Sequence, residues 1–113
     1  MLTSGDVVDL DLGTPRGRKA GLQRPAVVVT AQQLLDESTN VIHVIPLTTT
    51  VRAFGSEVPV AKDDQNGLDA DSAAQCQHVR AISVDRIDTV RGNVGPTALI
   101  EMREVLGLIL DIA

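Results

Sequence analysis

Apolar and polar positions alternate in twos at the start of the chain. In residues 5–12 (GDVVDLDL), Val8, Leu10 and Leu12 share one face while Asp9 and Asp11 share the other, the period of a half-buried strand. Residues 13–23 (GTPRGRKAGLQ) break that period with glycines, charges and a proline, which predicts a loop. Residues 24–31 (RPAVVVTA) form a short, nearly continuous β-branched run, the pattern of a central or barrel-core strand. A short helix is expected over 31–37, followed by a second β-branched run at 40–50 (NVIHVIPLTTT).

A further short strand is expected at 57–61, an Asp/Asn/Gly turn region through residue 71, one extended segment over 72–82 and another over 88–94. The C-terminal segment changes period. Gly95-Pro96 places a proline where the first helical turn tolerates it. Beyond it Leu99, Met102, Val105, Leu106, Ile109 and Leu110 recur at helical spacing and give one apolar stripe. Short strands spaced by turns and closed by one helix predict a mainly β fold: a small barrel with a C-terminal α-helix packed on it. Closure of such a barrel removes exposed strand edges.

The length of 113 residues fits one domain spanning 1–113, and a charged share of 22% against 43% apolar is ordinary for a globular chain. With one Phe and no Trp or Tyr, the core has to be aliphatic, and stacking of nucleic-acid bases on aromatic rings has at most a minor role. No apolar run approaches the ~20 residues a bilayer span requires, and the N-terminus carries no basic-then-apolar leader, so a cytoplasmic location is expected. Cys76 is the single cysteine, so there is no internal disulfide, and two histidines offer no dedicated metal cage. The net charge of −5 disfavours a phosphate-rich partner, but its distribution is uneven. Residues 12–35 contain no acid, and Arg16, Arg18, Lys19 and Arg24 supply four of the ten basic side chains there. The acids gather later, as Glu57, Asp63, Asp64, Asp69 and Asp71. The result is a local basic loop on an acidic body, and such a loop is most often just solvated.

Arg24 stands at the junction between this loop and a strand, anchored by Pro25, where a guanidinium would be held to receive a phosphate through two parallel hydrogen bonds. The plainer reading is an arginine paired with a carboxylate at a strand edge. Thr48, Thr49 and Thr50 suit a strand by propensity alone, but a hydroxyl at a strand end can also hold an oxyanion. If 72–82 is extended, Gln75 and Gln77 share one face, and Cys76 and His78 the other. Cys76 then reads as a small core residue and His43, within VIHVI, as a satisfied interior histidine. No Gly-rich phosphate loop, HExxH, paired-cysteine spacing or nucleophile elbow occurs, which excludes those enzyme classes.

Four segments in this order carry a resemblance over essentially the whole chain: GDVV near the start, QRPAVVVT after a basic loop, IPLTTT, and DSAAQCQHVRAI ahead of a terminal amphipathic helix. They resemble the MazF/PemK toxins of bacterial toxin–antitoxin pairs. The resemblance implies an SH3-like barrel that forms a homodimer and a metal-independent, cofactor-free endoribonuclease. Such an enzyme cuts single-stranded mRNA at short sequences and leaves a 2′,3′-cyclic phosphate and a 5′-hydroxyl. It places the catalytic arginine on Arg24 and the catalytic threonine on Thr48. It also lays the loop with Arg16, Arg18 and Lys19 over an RNA groove that the tail of a MazE-like antitoxin blocks. Gln75 and Gln77 become candidate base readers or phosphate contacts.

RNA supplies its own nucleophile, so the enzyme has only to orient the strand and stabilise the pentacoordinate phosphate. Many relatives carry an aromatic at the position of Val8 and an acid at that of Gln77, so this chain departs from the family's pattern at both. His78 is of the right type to replace that acid as the base, but alternation would put it on the face opposite Gln77, which leaves the general base open. Two other readings stand beside this one: a CcdB-like gyrase poison without catalysis, and a silent barrel that only binds RNA or a partner. The former family's Trp-Gly-Ile ending is absent, since this chain ends Asp-Ile-Ala.

Overall fold

The β-branched runs form strands because their stiff side chains pack on a pleated surface, and a computed structural model places them. It describes residues 1–11 and 23–112; the basic loop with Arg16, Arg18 and Lys19 lies outside the described residues. The elements are β1 (Asp6–Asp11), β2 (Gln23–Val28), α1 (Gln32–Asp36), β3 (Val41–Thr48), β4 (Glu57–Val60), β5 (Ser72–Gln75), β6 (Arg80–Ser83), β7 (Ile87–Asn93) and α2 (Gly95–Leu110). Among the described residues the strands run antiparallel in the order β4-β5-β3-β2-β1-β7, with β6 also pairing β3.

The segment expected as one strand over 72–82 is two. Strand β3 is long enough to take β6 along Val41–Val44 and β5 at Leu47 and Thr48 on the same edge. A 3₁₀ turn at Cys76–His78 carries the chain from one to the other. That turn overrides the alternation read from the sequence. Cys76 is buried beneath it and His78 is exposed, so the two do not share a face.

Both faces of the central strands are covered. Val7, Val27, Ile45, Leu47 and Cys76 pack under Leu99 and Met102 of α2, while Val8, Leu10, Val28, Ile42 and Val44 pack on the other face with Leu35 of α1. Val7 and Val8 are neighbours in sequence and both fully buried, so β1 is buried on two faces rather than one. The stripe on α2 is only partly used: Leu99 and Met102 are buried, whereas Ile109 and Leu110 are exposed. His43 is likewise exposed rather than interior; its main chain, not its ring, binds Thr30.

The sheet does not close into a continuous hydrogen-bonded barrel: β4 and β7 stand at its two ends. The turn region 61–71 bridges them. Asn93 donates its amide to the Gln65 carbonyl at 2.9 Å, and Arg91 Nη1 reaches the Asp69 carboxylate at 3.2 Å. Asn66, buried, ties the turn together by donating Nδ2 to the Ala61 carbonyl at 2.8 Å and accepting from the Leu68 amide. The approach leaves no room for a side chain at Gly92, where a Cβ would lie 2.2 Å from the Gln65 carbonyl oxygen.

Asp9 is buried on β1 and held by Arg91 Nε at 2.9 Å and the Thr89 hydroxyl at 2.8 Å. Burial alone would raise its pKa, but the hydrogen bonds from Arg91 and Thr89 outweigh it, and the net direction is down from 3.8. Stability from this carboxylate is therefore present above the ordinary value and is lost as pH falls below 3.8 through the lower folded value. Arg91→Ala is expected to cost about 2–3 kcal/mol at neutral pH, less than for a fully buried pair. It should also flatten the acid limb of the melting temperature. Thermal melts taken across that range check this, and an unchanged acid limb in the variant would assign the pH dependence elsewhere.

Candidate functional site

A cleft of about 470 Å³ opens across the middle of the sheet. Leu10, Val44, Pro25 and Pro46 make its apolar walls; Arg24, Arg80, His78 and Gln75 supply its polar groups. Strand register explains the assembly. Val44 pairs with Arg80, Leu10 pairs with Arg24, and Ala26 pairs with Pro46. The β2–β3 pairing ends at Ala26 and Pro46; Arg24 lies two residues before the one and Thr48 two residues after the other, each on the same face of its strand as that partner. Thr48 is half-buried at the end of its strand, and its hydroxyl accepts the Thr50 amide at 3.1 Å.

Two guanidinium groups in one cleft make it locally cationic although the chain carries a net charge of −5. Arg24, Arg80 and His78 are all exposed, and their side chains make no hydrogen bond or ion pair among the described residues. The two guanidinium groups are therefore available to an anion.

Behind the Gln75 side of the cleft lies a carboxylate that reading the sequence places on the acidic surface. The Glu57 side chain, only 2% exposed, accepts at Oε2 from Arg52 Nη2 at 2.6 Å, Gln77 Nε2 at 2.7 Å and Gln75 Nε2 at 3.4 Å. These hydrogen bonds, that from Gln77 foremost, then that from Arg52, hold its pKa below the usual range against the opposing effect of burial. Oε1 of Glu57 and Oε1 of Gln77 are buried and have no hydrogen-bond partner among the described residues. Arg52 also stacks over Phe54, 4.6 Å from the ring centre. The signal in sequence was slight: Glu57 is the only acid between Glu37 and Asp63 and opens a strand.

Of the residues singled out in sequence, Arg24 and Gln75 meet in the cleft wall, whereas Thr48 lies outside that wall at the end of β3, paired with Ala73 of β5. Gln77 is turned to Glu57 instead. His78, set aside by the alternation argument, joins Arg24 in the wall because of the 3₁₀ turn. Burial pushes the Cys76 thiol up to about 11, so it is no nucleophile at neutral pH. Among the described residues no group of His, Cys, Asp and Glu is placed to hold a metal ion, and no helix is long and apolar enough to cross a membrane.

Residues 3–110 match the family described as PemK-like, MazF-like toxin of type II toxin–antitoxin system. The chain is 31% identical over 116 residues to the endoribonuclease MazF9 of Mycobacterium tuberculosis, covering 99% of this chain and 98% of that one. The Mycobacterium tuberculosis toxin MazF-mt6 shares the fold with a TM-score of 0.74 at 24% identity, over 96% of this chain and 98% of that one. A mycobacterial endoribonuclease in complex with its cognate antitoxin does so with a TM-score of 0.78 at 18% identity, over 100% and 98%.

Proposed function

Because the chain belongs to the PemK-like, MazF-like toxins of type II toxin–antitoxin systems and is an endoribonuclease of that family, we propose that it cuts single-stranded mRNA at short sequences. It does so without a ribosome or metal ion and leaves 2′,3′-cyclic phosphate and 5′-hydroxyl ends. The 2′-hydroxyl gives up its proton as its oxygen bonds to the adjacent phosphorus, the bond from phosphorus to the 5′-oxygen breaks, and the leaving oxygen takes up a proton. Arg24 stabilises the charge that grows on the phosphate, since a guanidinium scarcely deprotonates and its fork fits two phosphate oxygens. The Thr48 hydroxyl binds a phosphate oxygen beside it. Gln75, Gln77 and the loop cations Arg16, Arg18 and Lys19 hold the strand.

The observation that carries this reading is the cleft itself, where the exposed guanidinium groups of Arg24 and Arg80 stand together on a chain of net charge −5. The protein acts as a cytoplasmic homodimer and is neutralised by a MazE-like antitoxin. An apolar groove of about 530 Å³ along α2, lined by Leu106, Leu110 and Ile112, supports contact with another protein chain.

Incubation of purified protein with a long single-stranded RNA in EDTA tests the chemistry. Discrete fragments whose ends resist 3′-end ligation until the cyclic phosphate is opened and the resulting phosphate removed are expected. Intact RNA beside a folded, dimeric protein would refute the reading.

A further inference from the structure

We propose that His78 takes the proton from the attacking 2′-hydroxyl, an inference that rests on the endoribonuclease reading above. An attacking hydroxyl has to lose its proton, and the cleft wall offers few groups that accept one. Arg24 from β2 and Arg80 from β6 are permanent cations, and Gln75 from β5 does not titrate. Glu57 of β4 lies behind Gln75 and Gln77, with Oε2 occupied by three donors and the whole side chain 2% exposed. Cys76 is buried under the turn with its thiol held protonated. Among the described residues His78 is the remaining group of the wall that can take a proton; it is exposed and its ring makes no hydrogen bond to any of them. A neutral imidazole keeps one unprotonated ring nitrogen that can accept the proton.

The placement is a product of the local fold. A continuous strand through residues 72–82 would send His78 to the side of buried Cys76. The 3₁₀ turn at Cys76–His78 instead drops the thiol into the core under Met102 and leaves the imidazole at the cleft mouth with Arg24. In the step itself the 2′-O–H bond breaks and its proton passes to the unprotonated ring nitrogen. The 2′-oxygen bonds to phosphorus, the bond to the 5′-oxygen breaks, and that oxygen is protonated from water. His78 then returns its proton to solvent.

Single-turnover cleavage of a short single-stranded RNA, followed from about pH 5 to about pH 9, tests this in the wild-type chain, His78→Gln and His78→Ala. The wild-type rate is expected to rise on the acid side with a slope near one and then level off. Both variants should lose that limb and run about a hundredfold slower. Their affinity for the same oligonucleotide carrying 2′-deoxyribose at the cut should stay within about twofold, and added imidazole should restore part of the His78→Ala rate. A variant that keeps the wild-type limb, or one that loses affinity as steeply as rate and is not rescued, overturns the assignment. If the wild-type chain leaves the RNA intact, the endoribonuclease reading falls and takes this inference with it.

Discussion

Arg24→Ala is expected to slow RNA cleavage by about a hundred- to a thousandfold, the usual loss when one preorganised donor to a developing oxyanion is removed. Arg24 is exposed and its side chain bonds to no described residue, so the fold should hardly register the change, with stability within about 0.5 kcal/mol of wild type. Arg24→Lys keeps the charge but loses the planar fork, and should recover only part of the rate. Single-turnover rates beside thermal melts separate the two effects. A loss of rate matched by a loss of stability would make Arg24 a structural residue, and a rate within about tenfold of wild type would remove it from the mechanism.

Gly92→Ala carries the largest expected effect on the fold. Its Cβ would meet the Gln65 carbonyl oxygen at 2.2 Å and the Asn66 main chain at 2.8 Å, both backbone atoms that cannot swing aside. Relief requires the 61–71 turn to lift from β7, which breaks the Asn93 to Gln65 hydrogen bond and loosens the contact of Arg91 with Asp69. A cost of about 3 kcal/mol or more follows, at the upper end for overpacking, and a melting temperature lower by about 10 °C. Urea unfolding measures it directly. A loss below about 1 kcal/mol would mean that the turn is not pressed on the strand in solution.

Most of the strands were legible because β-branched runs and glycine-proline punctuation are local signals, and α2 because its apolar residues keep the helical period. Three features were not. The break after Gln75 depends on β3 being long enough to seat two strands on one edge, a fact of pairing and not of the 72–82 segment. Glu57 read as one more surface acid, because nothing local says that Arg52, Gln75 and Gln77 converge on it. The unclosed sheet was hidden for the same reason: a turn rich in Asp, Asn and Gly looks alike whether it hangs in solvent or spans two edges. For the cleft, Arg24 and Gln75 could be picked out before the fold was known, whereas the position of His78 hung on a turn that alternation cannot foresee.

The strand made first is completed almost last. β1 pairs on one side with β2 but on the other with β7, and Asp9 waits for Thr89 and Arg91, Ser4 for Asn93. While the chain is being synthesised, the outer row of amides and carbonyls on β1 therefore stays open until residue 93 has emerged, and the fold closes through contacts distant in sequence, which form slowly. The cleft has the same history, with Arg24 on an early strand, Gln75 and Arg80 on late ones and His78 in the turn between these. A ribosome must translate past residue 80 before the protein it is making has a cleft at all.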